Sequence, residues 1–159
     1  MNEVKSVKGF CVLLSLVAVC GWAGTRVQAA TTGEGGVAFL DPAASSGLPV
    51  SAGVRVGNLL FLSGQLGDTQ ETGKLVEGGI KAETRQALEN IKAVVESQGL
   101  RMNDIVKCTA MLADIAEWPA FNETYRTYFS APYPARTAVG VSGLGLGARV
   151  EIECIAAAR

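Results

Sequence analysis

The stretch from Ile80 to Val95 constrains the fold most. Ile80, Thr84, Ala87, Leu88, Ile91, Val94 and Val95 recur there at helical spacing, between two runs that read as strands. The spacing predicts one amphipathic helix over Ile80–Gln98, closed by Gly99 at the C′ position. Its polar face, with Lys81, Arg85, Glu89, Lys92 and Glu96, reads as solvated surface. Upstream, Gly53-Val54-Arg55-Val56, the turn dipeptide Gly57-Asn58 and the apolar run Leu59–Leu62 make a hairpin. The hairpin ends at Ser63-Gly64-Gln65-Leu66-Gly67, where two glycines let the backbone turn sharply and approach a ligand closely. Asp68 to Gly79, rich in Thr, Glu and Gly, is a loop. Asp104 to Leu112 then reads as a strand, and such a strand-helix-strand unit should form a right-handed parallel crossover.

A second helix is expected from about Ile115 to Phe129. Asp114 with Glu117 three residues on has the capping-box pattern, and Pro119 falls in the tolerated first turn. Trp118, Phe121, Tyr125 and Tyr128 line one side as core or subunit interface, while Asn122 lies one residue off that stripe, toward a pocket rim. Two closing strands, Arg136–Val141 and Arg149–Ala157, flank Ser142-Gly143-Leu144-Gly145-Leu146-Gly147. That hexapeptide lacks the lysine and following helix of a phosphate loop and reads as a hairpin connection. The class is therefore α+β: a single mixed β-sheet in the order β-β-α-β-α-β-β, with two helices packed on one face. The bare face should be buried by self-association.

The chain divides into a signal peptide (1–29), a flexible leader (30–47) in which Val37–Leu40 can form a short edge strand, and a folded domain (48–159). Lys5 and Lys8 form a basic n-region, Phe10 to Gly24 an apolar h-region, and Val27-Gln28-Ala29 a cleavage site. Export to the periplasm or medium follows, with no membrane association after cleavage. Loss of Lys5, Lys8, Arg26 and Glu3 leaves 11 basic and 14 acidic side chains, scattered singly, which argues against a nucleic-acid partner. Cys108 and Cys154 both survive cleavage, and a disulfide and two buried free thiols remain alternatives. With no histidine in 159 residues, a Ser-His-Asp triad and a histidine metal site are excluded. No metal cluster and no cofactor site is legible.

Four blocks, in order, resemble the YjgF/RidA family, the reactive intermediate deaminases once also called translation-inhibiting endoribonucleases, over Gly47 to Ala157. They are Val54–Gln65, Glu83–Ile91, Phe121–Tyr125, and Pro134-Ala135-Arg136-Thr137 with Val150-Glu151-Ile152-Glu153. The resemblance implies a chorismate-mutase-like fold and a homotrimer whose sheets form a central barrel, with three clefts between neighbouring subunits. It also implies roles. Arg136 would hold a substrate carboxylate, a task suited to a planar fork of donors. Glu151 would position a water for attack. Ser63 and Gly64 would line the cleft, and Asn122 would stand at the subunit boundary.

The implied reaction is hydrolysis of an enamine or imine carrying a carboxylate, such as 2-aminoacrylate, to a 2-keto acid and ammonia. Imine carbon is already electrophilic, so orientation by Arg136 and a water held by Glu151 suffice without metal, cofactor or covalent intermediate. One departure is the tyrosine that the best-characterised deaminases carry ahead of the first hairpin strand, where this chain has Val50. Export is another, since such substrates arise in the cytoplasm. A non-catalytic module binding small carboxylates or a protein in the same cleft is the alternative reading, and an endoribonuclease the third.

Overall fold

The computed structural model describes residues 32–33, 36–41 and 49–159. The expected signal peptide and most of the expected leader lie outside them. Ten elements follow: β1 (Thr32–Gly33), β2 (Val37–Leu40), β3 (Gly53–Val56), β4 (Leu59–Leu62), β5 (Gln65–Leu66), α1 (Gly79–Ser97), β6 (Ile105–Leu112), α2 (Trp118–Tyr125), β7 (Ala135–Gly140) and β8 (Val150–Ala157). The strands form one mixed sheet in the order β1-β2-β3-β4-β8-β6-β7, with β5 pairing β8 off that path. All pairings are antiparallel except β6 with β7.

The strand expected at the edge for Val37–Leu40 is present and pairs with β3, but β1 pairs along its other side and takes the edge; Gly57-Asn58 closes the β3–β4 hairpin. Helix α1 ends as its sequence foretold. Gly99 takes φ +71°, and the N–H groups of Gly99 and Leu100 bond to the carbonyls of Glu96 and Val95, a Schellman closure that a left-handed residue makes possible. Strands β4 and β6 run parallel, as the crossover requires, but β8 lies between them.

Two expectations are corrected. The glycine-rich segment 142–147 is not a hairpin: β6 lies between β7 and β8, so the segment passes from one edge of β6 to the other. The reason is that β6 is apolar enough to take a central position, with Cys108, Ala110 and Leu112 fully buried. The second helix is also shorter than expected. Ile115–Glu117 is a 3-10 turn and the α-helix stops at Tyr125. Asp114 does cap, accepting from the Ala116 N–H at 2.9 Å. Glu117 does not reach back to complete the box; it forms a bidentate pair with Arg149 instead.

Both helices contribute to one core against one face of the sheet. Ala87, Leu88, Ile91 and Val95 of α1 and Phe121 of α2 meet Leu60, Leu112, Val150, Ile152 and Ala156, all fully buried. Burying each larger aliphatic side chain contributes about 1.5–3 kcal/mol. Truncating Leu88 or Ile91 to alanine should cost about 2–5 kcal/mol. The opposite face carries an apolar row across four strands, Phe39–Val54–Phe61–Ile155 in direct register, with Phe39 and Phe61 57% and 41% exposed. Cys108 and Cys154, directly opposite on β6 and β8, form a disulfide on the helix side.

Candidate functional site

Strand alternation decides where the candidate residues go. Along β7, Ala135, Thr137 and Val139 are exposed while Arg136 and Ala138 are half-buried, facing the helices. Arg136 stands opposite Cys108, which stands opposite Cys154, so the disulfide locks β6, the neighbour of the strand that carries the arginine, to β8. The Arg136 guanidinium lies 4.6 Å from the Tyr125 ring centroid, 5.4 Å from that of Phe121 and 5.7 Å from that of Trp118. Of the aromatic stripe, Phe121 and Tyr125 are core and Tyr128 packs against it, while Trp118 is half-buried outside it; Trp118, Phe121 and Tyr125 together form a platform that holds a cation. Among the described residues Arg136 forms no ion pair, although Lys81, Arg101, Arg149 and Arg159 all do.

A cavity of about 460 Å³ opens beside Arg136, lined by Asn122, Tyr125, Arg126, Tyr133 and Pro134. Asn122 and Arg136, singled out separately in the sequence, are therefore brought together. Tyr125 is 5% exposed and its hydroxyl has no hydrogen-bond partner among the described residues. Burial pushes its pKa up to about 12, against a smaller opposing effect of Arg136, so the phenol stays neutral.

The remaining three candidates form a second group. Glu151 alternates with the buried Val150 and Ile152 and so projects from the sheet face opposite the helices, level with Met111 of β6 and Leu66 of β5. Burial, and after it the like charge of Glu153, holds its carboxyl above the ordinary carboxylate range. Gly64 packs directly on it. A Cβ at position 64 would collide with the Glu151 carboxylate oxygen and come 2.9 Å from its carbon. The close approach permitted by this glycine is thus to the candidate base itself.

Ser63 lies beside them, with its hydroxyl donating to the Ser51 carbonyl at 2.7 Å, a bond that ties the end of β4 to the segment before β3. Asn90 of α1 fixes the same turn from beneath, donating to the Leu66 and Asp68 carbonyls at 3.2 and 2.9 Å. Val50 is about half exposed next to Ser51 at this end of the molecule. Arg126, Tyr133 and Pro134 were not anticipated as lining residues. The available signals were the one-turn spacing of Arg126 from Asn122 and the place of Tyr133 and Pro134 just ahead of Arg136.

Within one chain the candidates therefore fall into two groups. Arg136 and Asn122 lie on the helix side of the sheet, and Ser63, Gly64 and Glu151 gather around the opposite face. Among the described residues no group of three or more His, Cys, Asp or Glu side chains is placed to hold a metal ion.

The endoribonuclease L-PSP family model matches residues 42–158. A 2-iminobutanoate/2-iminopropanoate deaminase of Dermatophagoides farinae is 45% identical over 107 residues, 67% of this chain and 84% of that protein. The chloroplastic Reactive Intermediate Deaminase A of Arabidopsis thaliana is 44% identical over 68% of this chain and 58% of that one. Among solved structures, RidA from an Antarctic Psychrobacter superposes with a TM-score of 0.71 at 40% identity, covering 76% of this chain and 98% of that one. The Escherichia coli YjgF product gives 0.69 at 37% identity over 72% and 92%. With two helices on one face of a single mixed sheet, and matched along nearly all of its described length, the chain belongs to the YjgF/RidA family.

Proposed function

We propose that this protein hydrolyses imines and enamines of 2-amino acids to 2-keto acids and ammonia, in clefts formed between copies of the chain in a homotrimer. The observation that carries this reading is Arg136, held against three aromatic rings at the wall of a cavity and without a counter-ion among the described residues. A guanidinium so placed offers two parallel donors to a carboxylate. The names of the relatives at about 45% identity support imines as the class of molecule that carries it.

Glu151 completes the chemistry if it enters from a neighbouring copy. Its carboxylate accepts a proton from water as the oxygen attacks the electrophilic imine carbon. That proton passes to the imine nitrogen to give a neutral carbinolamine; the carboxylate then moves the carbinol O–H proton to the same nitrogen, the C–N bond breaks, and ammonia and the keto acid carbonyl form. A carboxyl held above its ordinary range is the stronger base for this step. Two features support assembly: the apolar row Phe39–Val54–Phe61–Ile155 on the bare face, and the separation of Arg136 from Glu151 within one chain. The Cys108–Cys154 disulfide supports the further proposal of export, since such bonds persist in oxidising compartments.

The test supplies imines from an amino acid oxidase and follows keto acid release against a semicarbazide trap. Acceleration by wild type and its loss in Arg136→Ala, at least about thirtyfold for a desolvated arginine–carboxylate contact, is the expected result. Tight binding of small carboxylates with no acceleration of any imine would replace the deaminase by a binding module.

A further inference from the structure

The cavity beside Arg136 holds a second cation that the reaction as written does not use. Arg126 closes α2, its N–H bonded to the Asn122 carbonyl at 3.1 Å, and it lines the same cavity one helical turn beyond Asn122. No acidic side chain lines that cavity. Glu123, three residues before Arg126, would be its ordinary intrahelical partner. Instead Glu123 is drawn across to Lys81 of α1, which is the main reason its carboxyl is held below the usual range, with Arg126 only a minor influence. Among the described residues neither Arg126 nor Arg136 forms an ion pair, so the cavity carries two uncompensated guanidinium groups.

A monocarboxylate neutralises one of these charges. A dianion neutralises both, and placing like charges together in a concave site favours such a ligand. We infer that Arg126 is a specificity-determining residue and that the preferred substrates are imines of dicarboxylic amino acids, with Arg136 on the carboxylate next to the imine and Arg126 on the distal one. This rests on the deaminase reading for turnover, but its charge argument applies to binding alone.

The experiment compares kcat/KM for imines made in situ by amino acid oxidases from glutamate and from methionine, which are similar in length and differ in side-chain charge. Wild type, Arg126→Gln and Arg126→Lys are assayed. In parallel, calorimetry measures binding of 2-oxoglutarate and 2-oxobutanoate. A charge-assisted contact predicts a preference for the glutamate imine of about tenfold in wild type, lost in Arg126→Gln and kept in Arg126→Lys, with the same pattern in keto acid binding. Equal turnover of the two imines by wild type, or an equal loss for both in Arg126→Gln, overturns the inference while leaving the deaminase reading intact. So does dissociation of the oligomer in Arg126→Gln, which would mean that the arginine pairs with a carboxylate of a neighbouring copy. If no imine is accelerated, the deaminase reading fails; Arg126-dependent preference for 2-oxoglutarate then sustains dianion selectivity, and its absence ends that too.

Discussion

Arg136 and Glu151 project from opposite faces of one sheet: Arg136 toward the rings of α2, and Glu151, with Met111 as its cross-strand neighbour on β6, away from them. Pairing register makes this unavoidable. Arg136 is level with the buried Cys108, while Glu151 sits at the alternate parity, and a one-residue slip in either strand would be needed to bring them together. A reaction that uses both must draw them from different chains.

Gly64→Ala should lower imine turnover at least about tenfold while leaving the affinity for a bound keto acid less affected. The added methyl would overlap the Glu151 carboxylate, displacing the base without touching Arg136, and misplacement by about 1 Å can cost a hundredfold. Steady-state rates beside calorimetric binding of a keto acid separate the two effects. Equal loss of both would show that the variant disrupts more than the position of Glu151.

The raised Glu151 pKa has consequences of definite sign. The acidic limb of kcat/KM should fall above the ordinary carboxylate range, and Glu153→Gln, by removing the like charge, should move it toward lower pH. For stability, a carboxyl whose folded pKa is raised favours the fold below its unfolded pKa, and that contribution is lost as pH rises through the folded value. Glu151→Gln should therefore raise Tm at neutral pH, with the advantage vanishing in acid below the ordinary range. Thermal scans across pH check this, and a Tm advantage that grows in acid would reverse the sign.

Reduction of Cys108–Cys154, or Cys108→Ser with Cys154→Ser, should lower stability. Closing a loop of 46 residues removes about 4 kcal/mol of unfolded-chain entropy at 25 °C in the chain-entropy account. Denaturant titrations with and without reductant measure it. Because Arg136 is level with this bond, its loss should also weaken keto acid binding; a stable reduced protein with unchanged binding would deny the disulfide both roles.

Much of this was legible in the residues because the relevant signals are local. The period of α1, the Gly57-Asn58 turn and the Gly99 closure each depend on a few neighbouring side chains, and each stands where the sequence puts it. Strand order was not legible in the same way. Gly143, Gly145 and Gly147 suit a hairpin, yet β6 inserts between the strands they join, a choice made by packing distant apolar faces. Likewise Glu117 fits a capping box, but Arg149, 32 residues on in sequence, offers it a bidentate partner. At the site, the sequence supplied the residues and left their grouping open. Nothing in a linear order shows that Asn122 meets Arg136 across a cavity while Gly64 meets Glu151 on the other face.

The division of the site between copies is tested most directly by complementation. Arg136→Ala and Glu151→Gln, each inactive alone, are co-expressed with different tags, and mixed oligomers are isolated by sequential affinity steps. If each cleft takes its arginine from one copy and its carboxylate from the next, every mixed trimer holds one intact cleft of three, and the isolated mixed trimers recover about a third of wild-type imine turnover per chain. Mixed oligomers as inactive as either variant would contradict a site shared between chains.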